Sequence, residues 1–140
     1  MLKKIPKMLS PDLVHALMQM GHGDEIVLAD GNFPGHSLHG RVIRCDGLGI
    51  PPLLDAILEL LPLDPYAGHQ AALMSVVPGD KVVPTIWDTY REVIARHDAS
   101  AQIAFEERFA FYERARGAYA IVVTGEEALY GNILLKKGVL

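Results

Sequence analysis

The apolar positions of this chain alternate between helical spacing and short covered runs. Ser10-Pro11-Asp12 predicts a helix start: a side-chain cap, a proline in the first turn and a carboxylate near the positive end of the dipole. Leu13, Val14, Leu17 and Met18 supply the apolar face of that helix, and Gly21 is its expected stop. Ile26 to Ala29 is continuously apolar, as expected of a strand covered on both faces. Asn32 to Gly40 reads as turn-rich loop, and Val42-Ile43 as a second short strand followed by a loop at Asp46-Gly47. Pro51-Pro52 introduces a helix in which Leu54, Ile57, Leu58 and Leu61 share one face, closed by Pro62.

Further along, Ala71 to Val77 is strand-like and ends at Pro78-Gly79. Thr85 to Ala95 follows Pro84 as an amphipathic helix with Ile86, Tyr90, Val93 and Ile94 inward. Glu106 to Arg116 is expected to be helical, with Phe109 and Tyr112 one turn apart. Ala118 to Val123 and Ile133 to Leu135 are the last predicted strands. Helices alternate with covered strands, without repeats, low complexity or a linker. The pattern predicts a single three-layer α/β/α domain over residues 1–140 around a central mixed β-sheet. Functional residues in such sheets gather at strand ends, where Asp30 and the Tyr130–Asn132 turn fall.

Composition narrows the function classes. The chain has 140 residues, half of them apolar, and a net charge of -4. That length suffices for one well-formed core. The acidic surplus and the scattered basic residues argue against nucleic acid as a partner. Cys45 is the only cysteine, so no intrachain disulfide or thiolate metal cluster can form, and it is expected to be a small buried apolar residue. Pro6 and Lys7 interrupt the N-terminal segment, unlike a signal peptide. The apolar run from Leu53 to Leu63 is too short and too often broken by Asp55, Glu59 and Pro62 to span a bilayer. The expectation is a cytoplasmic protein with no membrane contact.

Chemistry concentrates in a few segments. His22 stands between two glycines, which leave its imidazole open, and an imidazole titrating near ~6.5 suits proton transfer at neutral pH. A histidine there either serves a ligand or caps the first helix's C-terminus. Asp24 reads as a turn residue. Asp30 leaves an apolar strand for a loop, so its carboxylate either meets a ligand or closes an Asx-turn. The segment GHGDEIVLADGNFP is expected to put His22 and Asp30 at the same edge of the sheet.

Arg108 follows Glu106 and Glu107, so a local ion pair is the alternative to ligand contact. Tyr112 can pack on Phe109 in the core, Tyr130-Gly131-Asn132 can be a simple turn, and Trp87 reads as a packing residue. His36 and His39 have H-x-x-H spacing but lack the helical frame of a metal site. Neither a phosphate loop nor a G-x-S-x-G nucleophile elbow is present.

The segments GHGDEIVLADGNFP, IRCDGLGIPPLL, ERFAFYERA and TGEEALYGNILLKKGVL together resemble, in order and spacing, the L-fucose mutarotases. These are the fucose branch of a group that also contains the D-ribose pyranases. The likeness covers nearly the whole chain. Ribose pyranases typically have histidine where Arg108 stands, an H-T where this chain has His22-Gly23, and alanine in place of Gly131. Those differences favour the fucose branch.

The resemblance implies a proton donor at His22 and sugar contacts at Asp30, Arg108, Tyr130, Gly131 and Asn132, with Tyr112 joining the pocket. It leaves His36 as a pocket neighbour to be located. It further implies interconversion of the α and β anomers of L-fucose by ring opening and closure, which needs no metal, nucleotide or redox cofactor. Opening requires a proton at the ring oxygen while one leaves the anomeric hydroxyl. General acid/base catalysis of such a step contributes ~10²–10⁴-fold. Relatives of this kind assemble as dimers or decameric rings with pockets near subunit contacts, so a homo-oligomer is expected. The competing expectations are pyranose/furanose interconversion of the ribose type and non-catalytic monosaccharide binding.

Overall fold

The computed structural model describes residues 1–140, with the elements α1 (Pro11–Gln19), β1 (Glu25–Ala29), α2 (Gly35–Leu38), β2 (Val42–Cys45), α3 (Ile50–Leu58), β3 (Ala71–Met74), α4 (Ile86–His97), β4 (Ile103–Glu106), α5 (Arg108–Arg116), β5 (Ala120–Thr124) and β6 (Ile133–Lys136). The strands form one sheet in the order β2-β5-β1-β6-β3-β4. β1 pairs parallel with β5 and β5 with β2, while β3 pairs parallel with β4. Only β6 runs the other way, antiparallel to both β1 and β3. The expected mixed sheet is observed.

Alternation along β1 explains the layers. Ile26 and Leu28 join α1, α3 and α4 in a cluster of 24 buried residues, whereas Val27 and Ala29 face Phe111 and Ala115 of α5 in a cluster of 11. Burial on both faces makes β1 read as a continuous apolar run. The smaller cluster lies under α2 and α5, the side on which the cleft described below opens.

Local signals act as expected at α1, where the Ser10 hydroxyl accepts the Leu13 amide at 3.2 Å. Cys45 is buried, and burial pushes its thiol up. Three expectations need correction. The segment Asn32–Gly40 contains α2, whose His39 amide closes the turn on the Gly35 carbonyl. The helix expected from Glu106 begins at Arg108, because Glu106 ends the edge strand β4 and the Glu107 carboxylate caps the Phe109 and Ala110 amides. The strand expected to reach Val77 stops at Met74, where its parallel pairing with β4 ends at Glu106. No helix is long and apolar enough to cross a membrane.

Candidate active site

Because β6 is reversed, its amino end meets the carboxyl ends of the other strands at one edge of the sheet. Asp30 leaves β1 there and Asn132 enters β6 beside it. The Asp30 amide donates to Asn132 Oδ1 at 2.8 Å, and Asn132 Nδ2 donates to Asp30 Oδ2 at 2.9 Å. This reciprocal pair fixes which way the Asn132 amide points. The Asn32 amide donates to Asp30 Oδ1 at 2.8 Å, the Asx-turn expected of the loop. Asx-turn and open carboxylate coexist, since each oxygen keeps a lone pair. Burial holds the Asp30 carboxyl above the usual carboxylate range, assisted by Glu126 and opposed by the Asn32, Asn132 and Phe33 donors.

The opposite wall comes from α5. Arg108 Nε donates to the Tyr112 hydroxyl at 3.2 Å, which leaves the terminal guanidinium nitrogens for a ligand. The ion-pair alternative for Arg108 does not hold. Glu107 is occupied as the helix cap, and Glu106 pairs with Arg114 at 2.9 Å. Arg114 also binds Glu25 at 2.7 Å, so this largely buried cluster ties α5 to the sheet and sets where Arg108 and Tyr112 stand. Tyr112 packs edge-on against Phe33, with ring centroids 5.5 Å apart.

The third wall is the turn before β6. Tyr130 has φ 57°, a left-handed conformation uncommon for an aromatic residue and held only where neighbours over-determine it. Trp87 Nε1 donates to the Tyr130 carbonyl at 2.8 Å, and the buried Tyr90 hydroxyl donates to the Gly131 carbonyl at 2.7 Å. Trp87 is therefore the packing residue expected, against Phe105. Gly131 lies behind the wall rather than on it. A Cβ there would stand 2.9 Å from the Ala128 carbonyl oxygen, so only glycine lets the turn pass so close.

These elements enclose an open cleft of about 230 Å³ lined by Asp30, Asn32, Phe33, Pro34, Met74, Val77, Asp80, Arg108, Tyr112, Leu129, Tyr130 and Asn132. That is below the ~300–1,000 Å³ typical of drug-sized ligands and matches a single small polar molecule. Donors and acceptors alternate around it: Arg108, Tyr112 and the spare Asn132 N–H can donate, while Asp30 and the Tyr130 oxygen can accept. Asp80 and the identity of the apolar lining residues were not anticipated. The Val-Pro-Gly-Asp turn signature at 77–80 was the available signal for Asp80, but nothing local says which surface such a turn will meet.

His22 is elsewhere, contrary to expectation. It precedes β1 and Asp30 follows it, so five residues at ~3.3 Å each separate the two ends of the strand. His22 does not cap α1 either. Its Nε2 meets Asp64 Oδ1 at 3.1 Å, and its ring lies 5.8 Å from that of Tyr66. Burial works to raise the Asp64 carboxyl, but the Tyr66 amide, His22 and Lys136 outweigh it and hold it below the usual range. Asp24 accepts the Gly21 amide at 2.7 Å as the expected turn residue. His39 is structural, with Nε2 against the Ala118 carbonyl at 2.7 Å and Nδ1 accepting the Arg41 amide. His36 is exposed on α2 and outside the cleft lining. No three His, Cys, Asp or Glu side chains converge in a way that could hold a metal ion.

A sheet-edge cleft walled by loops, with matched donors and acceptors, is the architecture of a small-molecule-binding α/β protein. The chain belongs to the RbsD / FucU transport protein family, which it matches over residues 3–140. It is 53% identical to the fucose mutarotase of Homo sapiens, covering 99% of this chain and 94% of that protein. It is 49% identical to an L-fucose mutarotase of Actinobacillus pleuropneumoniae, covering 99% and 97%. Among solved structures it matches the Streptococcus pneumoniae fucose mutarotase in complex with L-fucose at 55% identity and a TM-score of 0.94, with 99% of each chain covered.

Proposed function

We propose that this protein is an L-fucose mutarotase, an isomerase that interconverts the α and β anomers of L-fucopyranose. The observation that carries the reading is the near-complete likeness to fucose mutarotases together with a cleft in which Arg108, the residue that separates the fucose branch from the ribose branch, has no acidic partner. One domain over residues 1–140 performs the reaction, in keeping with the span of the family match.

Asp30 and Asn132 hold sugar hydroxyls through the lone pairs and the N–H their mutual pairing leaves free. Arg108 donates charge-assisted hydrogen bonds to sugar oxygens from the far wall. Phe33, Met74, Val77 and Leu129 offer the apolar surface that a methyl group needs where galactose would carry a hydroxymethyl. Gly131 contributes by bringing the turn to its place, not by touching sugar.

His22 of one copy completes the cleft of another. Within a single chain the imidazole and the Asp30 carboxylate lie at opposite ends of β1. The side chains around both are also uncovered: Tyr66 beside His22 is 78% exposed, and Phe109 and Leu129 near the cleft are 66% and 59% exposed. Joining two such surfaces supplies an imidazole at the ring oxygen, a group able both to give and to take a proton. The functional unit is therefore a homo-oligomer acting on a soluble sugar in the cytoplasm.

Saturation-transfer NMR on equilibrated L-fucose tests this directly, with D-ribose and galactose as comparisons. Faster exchange between the L-fucose anomers at low enzyme concentration is expected. Binding without acceleration would make the protein a sugar binder, and faster exchange of ribose than of fucose would move it to the other branch.

A further inference from the structure

We infer that Asp80 is a positioning residue, and that with Val77 it clasps the Tyr130 hydroxyl so that this hydroxyl can only accept a hydrogen bond from the sugar in the cleft. The inference rests on the mutarotase reading above and adds a residue to it. Val77-Pro78-Gly79-Asp80 forms a tight turn: the Asp80 amide donates to the Val77 carbonyl at 3.0 Å, and Gly79 has φ 91°, as a Pro-Gly turn of this kind requires. Both ends of the turn grip the same atom. Tyr130 Oη donates its proton to Asp80 Oδ2 at 2.5 Å, and the Val77 amide donates to Tyr130 Oη at 3.3 Å. Asp80 is itself oriented, since its Oδ1 accepts the Val82 amide at 3.0 Å.

A phenol has one proton to give, and here a carboxylate holds it. What remains toward the cleft is a lone pair. A carboxylate pulling on that proton also makes the phenol oxygen a stronger acceptor. The left-handed backbone of Tyr130, anchored by Trp87 at the carbonyl, aims the ring so that the clasp forms. Tyr130 thus meets the sugar as a fixed acceptor opposite the Arg108 donor, and a sugar hydroxyl between them must donate toward Tyr130 and accept from Arg108. The hydroxyl that loses its proton in ring opening is the one an aimed acceptor favours. The proton balance is closed: as the C1–O5 bond breaks and C1=O1 forms, O5 receives a proton from the imidazole that completes the cleft, O1 gives its proton to Tyr130 Oη, and the phenol proton passes to the Asp80 carboxylate; closure returns each proton.

The test compares wild type, Asp80→Asn, Asp80→Glu, Tyr130→Phe and the double variant Asp80→Asn/Tyr130→Phe by anomer-exchange NMR, with kcat and KM separated. Asparagine can donate to Tyr130 and free the phenol proton to turn into the cleft, so Asp80→Asn is expected to lower kcat about tenfold with a smaller change in KM. Asp80→Glu should recover part of the loss. In the Tyr130→Phe background, Asp80→Asn should have no further effect. Unchanged kcat in Asp80→Asn, or losses that multiply in the double variant, would overturn the inference. Ring-labelled tyrosine NMR reads the clasp without turnover: the Tyr130 signal should move on Asp80→Asn. An inactive wild type in which that signal moves sinks the mutarotase reading alone; a signal that does not move sinks the clasp, whatever the activity.

Discussion

His22 and Asp30 stand at the two ends of one five-residue strand, facing opposite edges of the sheet. If both serve one reaction, they do so from different copies of the chain. His22→Ala and Asp30→Asn should then each lose exchange activity as separate homo-oligomers. Co-expressing the two variants should restore roughly a quarter of the wild-type rate for random pairing in dimers, because each mixed pair holds one intact site. An unrestored mixture would place all working groups in one chain.

Asp30 predicts an acid limb in sugar binding. Burial lifts its carboxyl, so it takes up a proton above the ~3.9 of an ordinary aspartate and loses acceptor strength toward sugar hydroxyls there. The sign for stability is opposite. A carboxyl raised on folding contributes stability in its protonated form, lost as pH rises through the folded value and regained on acidification. Fucose affinity, followed by titration NMR, should therefore fall in this window while circular dichroism stays native. Asp30→Asn should bind weakly with no such limb. An affinity that persists below the ordinary range would remove Asp30 from the sugar.

Arg108→His tests the choice of branch. A guanidinium keeps its charge and several fixed donors, whereas imidazole offers fewer and changes charge near neutrality. Fucose exchange should fall about ten- to a hundredfold. The fold should survive, because Arg108 makes no salt bridge and bonds only Tyr112 on its own helix. Equal rates would show that Arg108 stands by the cleft without touching the sugar.

Gly131→Ala should act through geometry alone. The added methyl meets the Ala128 carbonyl oxygen at 2.9 Å, and its nearest relief moves the turn that carries Tyr130 and Asn132. KM for fucose should rise several-fold and the melting temperature should fall by a few degrees. A variant with native KM would show that the turn yields without disturbing its flanking side chains.

What the sequence made legible followed from local rules. The Ser10 cap, the covered run of β1 and the amphipathic face of α4 each declare themselves within a few residues. Asp30 stood out because a carboxylate leaving an apolar run needs a partner, whereas Asn132 read as a turn residue until the family resemblance singled it out; their pairing spans 102 positions. The failures have causes as well. β4 is a four-residue edge strand defined by pairing with β3, with no periodicity of its own before the helix that follows. His22 and Asp30 flank the same five-residue strand, so they lie at its opposite ends whichever way it runs, and the expectation of a shared edge overlooked the length of β1. Asp80 sits in a turn whose form is local but whose contact with Tyr130 is not.

The place of β6 bears on how the chain comes off the ribosome. It is the sixth of the six strands in chain order, yet it lies between β1 and β3 and joins β2-β5-β1 to β3-β4. Until it emerges, the two groups of strands share no ladder and Asn132 has not reached Asp30. A nascent chain stalled before Ile133 holds two half-sheets with open, apolar inner edges, the kind of surface that chaperones hold and other chains pair with. Closure of the sheet therefore waits for β6, and the edge that carries the cleft is among the last parts of this domain to form.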